Sequence, residues 1–296
     1  MRKAIFLVLV LLAVTSFLFG CSKINEKTNF AYDGNMYLNI KYKDAQTSDP
    51  NLLSLDIYVP KGAEGQKLPT MIYVHGGGWK IGDKSNLASC VDKASYFASL
   101  GVVYVSVNYR LTPEVVYPTH NQDVASAIAF VINNANKYSV DINKISIMGH
   151  SAGGGIISSI ATDGNYLNDV GYSLDYLKCA VSLDTEGYHV SDRASEEIGI
   201  YIDAFGKDPL IWEQASPINH IEPNKKIPSF FIVTRGNQTR IDRAYEFNSK
   251  LIDANVYTQI MQATGLTHNK VNEAIGDPND KLITPKLTDF INARCK

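Results

Sequence analysis

Short apolar runs alternate with helix-like segments through most of this chain. Beyond Pro69, runs rich in β-branched and aromatic residues predict six buried strands, at 71–74, 102–109, 145–148, 179–183, 230–234 and 257–261. Alternating apolar and polar residues at 36–43 and 52–59 predict an antiparallel pair at one edge of the same sheet. Together these segments predict an eight-stranded, mostly parallel sheet.

Apolar residues at helical spacing occupy the segments between the strands. The clearest helix is predicted at 121–137, where the apolar stripe consists of Val124, Ala127, Ile128, Val131, Ile132 and Ala135. Further helices are predicted at 86–100, 153–162, 241–253 and 282–293. Strands that alternate with helices predict an α/β fold, with helices on both faces of the sheet and ligands at the carboxyl ends of the strands.

A G-x-S-x-G motif joins the apolar run 144–148 to the next predicted helix, and it reads Gly149-His150-Ser151-Ala152-Gly153. A sharp strand-to-helix turn requires glycine where a side chain would clash. It presents the serine hydroxyl at its apex, beside the free N–H groups of the helix. Ser151 is therefore the candidate nucleophile, and the N–H of Ala152 is a candidate oxyanion donor.

A second glycine motif follows the strand predicted at 71–74, and it reads His75-Gly76-Gly77-Gly78-Trp79. Consecutive glycines leave backbone N–H groups uncovered, and such donors stabilise the negative oxygen of a tetrahedral intermediate in acyl transfer. A phosphate-binding loop would instead continue with Lys and then Ser or Thr, whereas Trp79-Lys80-Ile81 stands here. Gly76 and Gly77 are therefore candidate oxyanion-hole residues, since Ser151 lies downstream in the expected order.

With these motifs, the chain resembles the α/β-hydrolases of the HGGG esterase type, close to hormone-sensitive-lipase-like and arylformamidase-like enzymes. The resemblance extends from about Leu52 to the C-terminus, and it includes 109–111, 118–123, 141–145 and 215–218. It implies the α/β-hydrolase fold, a serine carboxylesterase, and no metal or organic cofactor. It also implies that the insertion 187–228, before the seventh strand, forms a cap or pocket wall; a plain surface excursion is the alternative.

A serine hydroxyl needs a base to take its proton, and the chain has six histidines. This fold orders its catalytic residues as serine, acid and histidine. Only His268 follows the last predicted strand and precedes the final helix, whereas His75 and His150 belong to the glycine motifs. His268 is therefore the predicted base.

The acid is harder to assign. In the enzymes that the chain resembles, an Asp follows the seventh strand in a segment like H-G-x-x-D, but here 235–239 ends in Thr239, which has no charge. We favour Asp184, which follows the sixth predicted strand, because some relatives, such as pancreatic lipases, place their acid there. Asp242, three residues after Thr239, is the first alternative. The others are Asp203, Asp208 and the loss of the acid altogether.

The composition of the chain bears on which classes of function are possible. The 296 residues are 45% hydrophobic and 20% charged, which suits one globular domain, and a net charge of −2 does not indicate nucleic-acid binding. The cysteines lack metal-ligand spacing. With Cys21 assigned to lipid (below), Cys90, Cys179 and Cys295 allow one disulfide in an oxidising compartment, and we expect none that function requires.

The N-terminus has a targeting pattern. Arg2 and Lys3 precede the apolar stretch 4–19 and then Gly20-Cys21, which predicts a secretory signal peptide at 1–20. Residues 18–21 resemble a bacterial lipoprotein box. That resemblance implies a lipid-modified Cys21, a tether at 21–35, a hydrolase domain at 36–296, and membrane anchoring in the bacterial cell envelope, outside the cytoplasm. Ordinary secretion and an uncleaved anchor are the alternatives.

The sequence thus predicts a serine carboxylesterase that acts on small-molecule esters with short- to medium-chain acyl, aryl or sugar groups. Formamide hydrolysis, as in arylformamidases, is one alternative. A peptidase is disfavoured, because it would carry a large peptide-selecting domain. Thr239 suggests a further alternative, a surface-anchored binding module that kept the fold and lost its acid. Neither the natural substrate nor the oligomeric state follows from the sequence.

Overall fold

A computed structural model of the chain describes residues 32–296, and its centre is an eight-stranded sheet in the order β1-β2-β4-β3-β5-β6-β7-β8. The strands are β1 Gly34–Lys41, β2 Ser54–Pro60, β3 Leu68–Val74, β4 Val103–Val107, β5 Val140–His150, β6 Leu177–Leu183, β7 Ser229–Thr234 and β8 Thr258–Gln262. The pairs β1–β2 and β2–β4 are antiparallel, and all other pairs are parallel. The predicted mostly parallel sheet with an antiparallel edge is confirmed.

Helices cover both faces of this sheet. In the described part of the chain they are α1 Leu87–Ser99, α2 Thr119–Asn133, α3 Ala152–Thr162, α4 Asn165–Asn168, α5 Val190–Ser195, α6 Gly199–Phe205, α7 Pro209–Ala215, α8 Gln238–Asp253, α9 His268–Glu273 and α10 Thr284–Arg294. Every residue of β2 and β4 is buried, so successive side chains on opposite faces are both shielded from water. Among residues 32–296, no helix has the length and apolar character needed to cross a bilayer.

Several element boundaries differ from the predictions; β5, for example, begins at Val140 rather than 145. Helix α2 ends at Asn133 rather than 137, because the Asn134 side chain donates to the Phe130 carbonyl at 2.8 Å and the chain then turns towards β5. At the N-terminal end, Tyr32 is buried with its ring centroid 5.5 Å from that of Tyr58. Residues 32–35 of the predicted tether therefore pack on the domain, whereas the predicted signal peptide and Cys21 lie outside the described residues.

The insertion 187–228 contains the short helices α5, α6 and α7. Its aromatic residues pack on the glycine loop after β3. The Trp79 ring lies edge-on to the rings of Tyr201 and Phe205, with centroids 5.1 and 5.0 Å away. This contact holds α6 over the carboxyl ends of the strands.

A disulfide joins Cys179 in β6 to Cys295 at the end of α10, across 116 residues of sequence. The sequence allowed one disulfide without indicating its partners. The bond ties the C-terminal helix to the strand that leads to Asp184.

Candidate active site

Ser151 occupies the sharp turn between β5 and α3. Its backbone has φ 55° and ψ −121°, a strained conformation for a residue with a side chain. Its N–H donates to the Leu183 carbonyl at 2.9 Å, which ties the turn to β6. A Cβ at Gly153 would lie 2.2 Å from the carbonyl oxygen of Val74, so only glycine lets the helix start this close to β3. The G-x-S-x-G spacing is therefore a steric requirement of this turn.

The glycine loop after β3 lies directly against Ser151. A Cβ at Gly76 would be 3.0 Å from Ser151 Cβ, so the two backbones approach as closely as glycine allows. Gly77 has φ 116°, a region that residues with a side chain rarely adopt. The loop is held by His75, whose Nδ1 donates to the Gly76 carbonyl at 2.7 Å, and by Tyr109, whose hydroxyl donates to the His75 carbonyl at 3.1 Å. Its backbone is thus positioned beside the hydroxyl-bearing turn.

His268 and Asp184 meet beside this turn. His268 is the first residue of α9, which Thr267 caps by accepting from Lys270 N–H, and its Nδ1 lies 2.6 Å from Asp184 Oδ2. Asp184 directly follows β6 with φ 48°, and its N–H donates to the Val233 carbonyl at 2.7 Å. The Asp184 carboxylate is fully buried, whereas the His268 side chain is 34% exposed. The pair therefore has one end in the protein interior and one end open to a ligand.

The other candidate acids have different partners. Asp242 is exposed on α8 and accepts from Gln238 at 2.6 Å. Asp203 forms an ion pair with Lys80 at 2.8 Å, and Asp208 caps the N-terminus of α7. Within residues 32–296, Asp184 is the acid whose carboxylate is hydrogen-bonded to His268.

Two arginines that the sequence did not indicate share the same carboxylate. Arg235 Nε donates to Asp184 Oδ2 at 2.6 Å, and Arg240 Nε donates to Oδ1 at 2.8 Å. Arg240 Nη2 also donates to the Asp184 carbonyl at 2.6 Å. Burial alone would raise the pKa of Asp184, but the His268 hydrogen bond and the charges of Arg240 and Arg235 outweigh burial and hold that pKa below its ordinary value. Asp184 is therefore ionised at neutral pH.

The arginines extend into a wider charged cluster. Arg240 Nη1 also binds Glu186 at 2.5 Å, and Glu186 accepts in turn from Arg243 at 3.3 Å. Arg193 pairs with Glu196 and lies 3.6 Å from Glu186. The only trace of this cluster in the sequence is that Arg235 begins, and Arg240 directly follows, the segment in which Thr239 stands where an Asp is expected.

Two cavities meet at Ser151 and His268. The first, which we call the arginine-side cavity, measures about 240 Å³ and is also lined by Arg193, Arg235, Arg240 and Tyr201. The second, the glycine-side cavity, measures about 580 Å³ and is lined by the glycine loop and by Asn269, Asn272 and Glu273. Because Ser151 and His268 border both cavities, a bound ester could extend in two directions from the hydroxyl.

His150, Asp184 and His268 each place one potential metal-ligand atom within 4.8 Å of the others. These atoms already have partners. His150 Nε2 donates to the His268 carbonyl at 3.0 Å, and burial, with the nearby His268 charge, lowers the pKa of His150 to about 3. The guanidinium groups of Arg235 and Arg240 on the Asp184 carboxylate would also repel a cation. Hydrogen bonding within the protein, rather than metal binding, fits this group.

Comparison with known proteins points to hydrolases. A family model described as BD-FAE matches residues 55–251. The chain is 29% identical to Esterase LipC of Mycobacterium tuberculosis over 69% of this chain and 53% of LipC. It is 28% identical to Esterase LipQ of the same bacterium over 83% of this chain and 62% of LipQ. The chain therefore spans less than two thirds of either relative.

A solved structure shares the fold. It is described as a truncated form of carbohydrate esterase from gut microbiota. It aligns with a TM-score of 0.71 and 20% identity, covering 88% of this chain and 96% of that one.

Proposed function

The chain belongs to the BD-FAE family of α/β-hydrolases, and from that premise we propose that it is a serine carboxylesterase in which Ser151, His268 and Asp184 form the catalytic triad. It is a hydrolase that acts on ester bonds, as its esterase relatives are. The observation that carries the assignment of residues is the 2.6 Å contact between His268 Nδ1 and Asp184, at the mouth of the two cavities that Ser151 borders.

The chemistry follows from these positions. Because His268 Nδ1 donates to Asp184, Nε2 is the ring nitrogen left to accept the Ser151 proton as Oγ attacks the ester carbonyl. His268 then returns that proton to the leaving alcohol, and water, activated by the same nitrogen, hydrolyses the acyl-enzyme. Asp184 stays ionised, stabilises the imidazolium and holds the ring in the required tautomer.

The oxyanion is stabilised by backbone donors. We assign this role to the N–H groups of Gly77 and Ala152, together with Gly76. Gly76 lies against Ser151, and Ala152 begins α3, where N–H groups lack partners within the helix. Each such donor contributes about 2.7–4 kcal/mol of transition-state stabilisation. No metal or organic cofactor takes part in this mechanism.

The substrates that suit this site are short- to medium-chain acyl, aryl and sugar esters. The Trp79 ring is packed beneath Tyr201 and Phe205, and together they close one side of the site. Ile200 extends over both cavities, so the insertion forms part of their wall. A site walled in this way favours a compact acyl group over a long lipid chain.

Hydrolysis of a 4-nitrophenyl ester series from acetate to octanoate tests the proposal. We expect Ser151→Ala to lower kcat by several orders of magnitude, and Ser195→Ala, an exposed serine outside both cavities, to leave it unchanged. A fluorophosphonate probe should label Ser151 in the wild type. Equal, slow rates for wild type and Ser151→Ala would refute catalysis and favour a binding module. Aryl formamides in the same panel test the amide alternative.

We also propose that Cys21 is lipid-modified and anchors the chain on the outer side of a bacterial membrane. The Cys179–Cys295 disulfide supports a location outside the reducing cytoplasm. Expression of the full chain in a bacterial host should place it in the membrane fraction with radiolabelled fatty acid attached. Cys21→Ser should abolish the label. Labelling that persists in this variant would refute the assignment.

A further inference from the structure

Arg235 lines the arginine-side cavity and has a free end. Its Nε binds Asp184 at 2.6 Å, but its terminal nitrogens Nη1 and Nη2 have no hydrogen-bond partner among residues 32–296. The side chain is 24% exposed and lines the cavity together with Ser151 and His268. A guanidinium group presents paired N–H donors in a fixed fork, which matches the two oxygens of a carboxylate.

The other arginines of the cluster are already engaged. Arg240 uses Nε and both terminal nitrogens on Asp184 and Glu186. The Arg243 nitrogens face Glu186, Asp192 and Glu196. Arg193 directs Nη1 to Glu196 and Nη2 towards Glu186; its buried Nε has no partner among residues 32–296, but both of its terminal nitrogens face carboxylates. Arg235 is therefore the member of this cluster whose fork is available to a ligand.

Charge balance during the reaction favours an anion at the same place. One carboxylate, Asp184, is shared by Arg235, Arg240 and His268. When His268 takes the Ser151 proton, it becomes a third cation on that carboxylate, although Glu186 compensates part of the Arg240 charge. A negative group bound to Arg235 would compensate this charge in the transition state as well as in the bound substrate.

We infer that the esters hydrolysed by this chain carry a carboxylate, which the free terminal nitrogens of Arg235 bind in the arginine-side cavity. This inference rests on the proposed esterase function and adds the chemical class of the substrate. The carboxylate belongs either to the acyl group or to the leaving alcohol, and each position is tested by its own pair of esters.

Matched ester pairs measure the preference for an anion. Mono-4-nitrophenyl glutarate is compared with its methyl ester for the acyl side, and 4-acetoxybenzoate with its methyl ester for the leaving-group side. Each kcat/KM is divided by the second-order rate constant for the reaction of that ester with hydroxylamine, a neutral external nucleophile. Spontaneous hydrolysis is not a suitable reference, because the glutarate carboxylate attacks its own ester. A charge-assisted bidentate pair should favour the anionic member of at least one pair by about tenfold to a hundredfold.

Variants of the arginines test whether Arg235 causes the preference for the anionic ester. Arg235→Met should abolish it, and Arg235→Lys, which keeps the charge without the fork, should retain part of it. The matched control is Arg243→Met, because Arg243 belongs to the same cluster but does not line the arginine-side cavity; there the preference should persist. The ratio within each pair is the readout, since the loss of the Arg235–Asp184 contact slows both esters alike.

The outcomes separate this inference from the proposed function. If wild type hydrolyses the neutral esters through Ser151 but shows no preference in either pair, the anion site is wrong and the esterase stands. A preference that survives Arg235→Met also overturns the site. If no ester of either pair is hydrolysed, the esterase proposal fails. In that case, calorimetry compares the binding of 4-acetoxybenzoate and of its methyl ester to Ser151→Ala. Tighter binding of the anionic ester supports the anion site, and equal binding overturns it.

Discussion

Replacement of Asp184 by Asn tests the electrostatic centre of the site. The carboxylate accepts from three donors, because Oδ2 faces His268 Nδ1 and Arg235 Nε, and Oδ1 faces Arg240 Nε. An amide keeps one acceptor oxygen and brings an NH₂ group that must face a donor. The less unfavourable orientation directs NH₂ at Arg240 alone, because the other would oppose both His268 and Arg235. His268 then keeps its hydrogen bond but loses its counter-charge.

The expected loss of turnover is large. In serine proteases, the same exchange lowers kcat by about 10⁴, where the amide imposes the wrong tautomer. Here the orientation above preserves the tautomer, but Arg235 and Arg240 lose their counter-charge and oppose formation of imidazolium. We therefore expect Asp184→Asn to lower kcat by about 10³–10⁴. Stability should fall by about 3 kcal/mol, because one partner of a largely buried ion cluster is removed.

Steady-state hydrolysis of 4-nitrophenyl acetate measures the first effect. Circular dichroism of each variant corrects for any unfolded fraction, and a urea unfolding curve measures the second effect. Asp242→Asn is the matched control, because Asp242 is exposed and its carboxylate accepts from Gln238 rather than from a residue of the site. The reasoning is refuted if Asp184→Asn keeps more than a tenth of the wild-type kcat, or if the kcat of Asp242→Asn falls below a tenth of the wild-type value.

Three further predictions concern stability. Gly153→Ala should reduce both stability and ester hydrolysis, because its Cβ would lie 2.2 Å from a strand carbonyl; Gly155→Ala in the same helix meets its nearest atom at 3.5 Å and should be tolerated in thermal melts. Replacing Cys179 and Cys295 together by Ala should lower the free energy of unfolding by about 2–5 kcal/mol in urea titrations and leave kcat/KM unchanged. The pKa of Asp184 is lower in the folded chain than in the unfolded chain, where it is about 4. The ion pairs of Asp184 therefore stabilise the folded chain above about pH 4, and this stabilisation is lost as the pH falls through the pKa of the folded chain. The stability gap between wild type and Asp184→Asn should therefore narrow below about pH 4 in urea unfolding curves, and a gap that widens there would contradict the assignment.

The fold could be predicted because its signals are local. A buried strand such as β4 is rich in valine and apolar except for Ser106, and the turn at Ser151 needs glycine at a spacing that can be read directly. Helices α5, α6 and α7 could not be predicted, since each has seven residues or fewer and shows less than two full periods of an apolar stripe. The Cys179–Cys295 pairing depends on tertiary proximity, which spacing alone does not reveal.

Only those residues of the candidate site that a motif, the chain order or the family resemblance indicates could be predicted from the sequence. The order of serine, acid and histidine was enough to select His268, whereas Asp184 was favoured by the likeness to enzymes whose acid follows the sixth strand. The structure brings these two residues within 2.6 Å. Arg235 and Arg240 escaped the sequence analysis because nothing local marks an arginine as a partner of a carboxylate more than fifty positions away. Their role depends on the adjacency of β6 and β7, which exists only in the assembled sheet.

The two arginines and the position of the acid are linked in this structure. Thr239, where an Asp is expected after β7, supplies no carboxylate, and Arg235 and Arg240, from the same stretch of chain, bind the Asp184 carboxylate. Asp184, one strand over, is thereby fixed by donors on both of its oxygens, which holds it towards His268 more rigidly than a single hydrogen bond would. The same donors add positive charge where imidazolium must form. We therefore expect a substrate that itself brings a negative charge to suit this site. Arg235 links the position of the acid to the inferred anionic substrate, because its Nε binds Asp184 and its terminal nitrogens are available to a ligand.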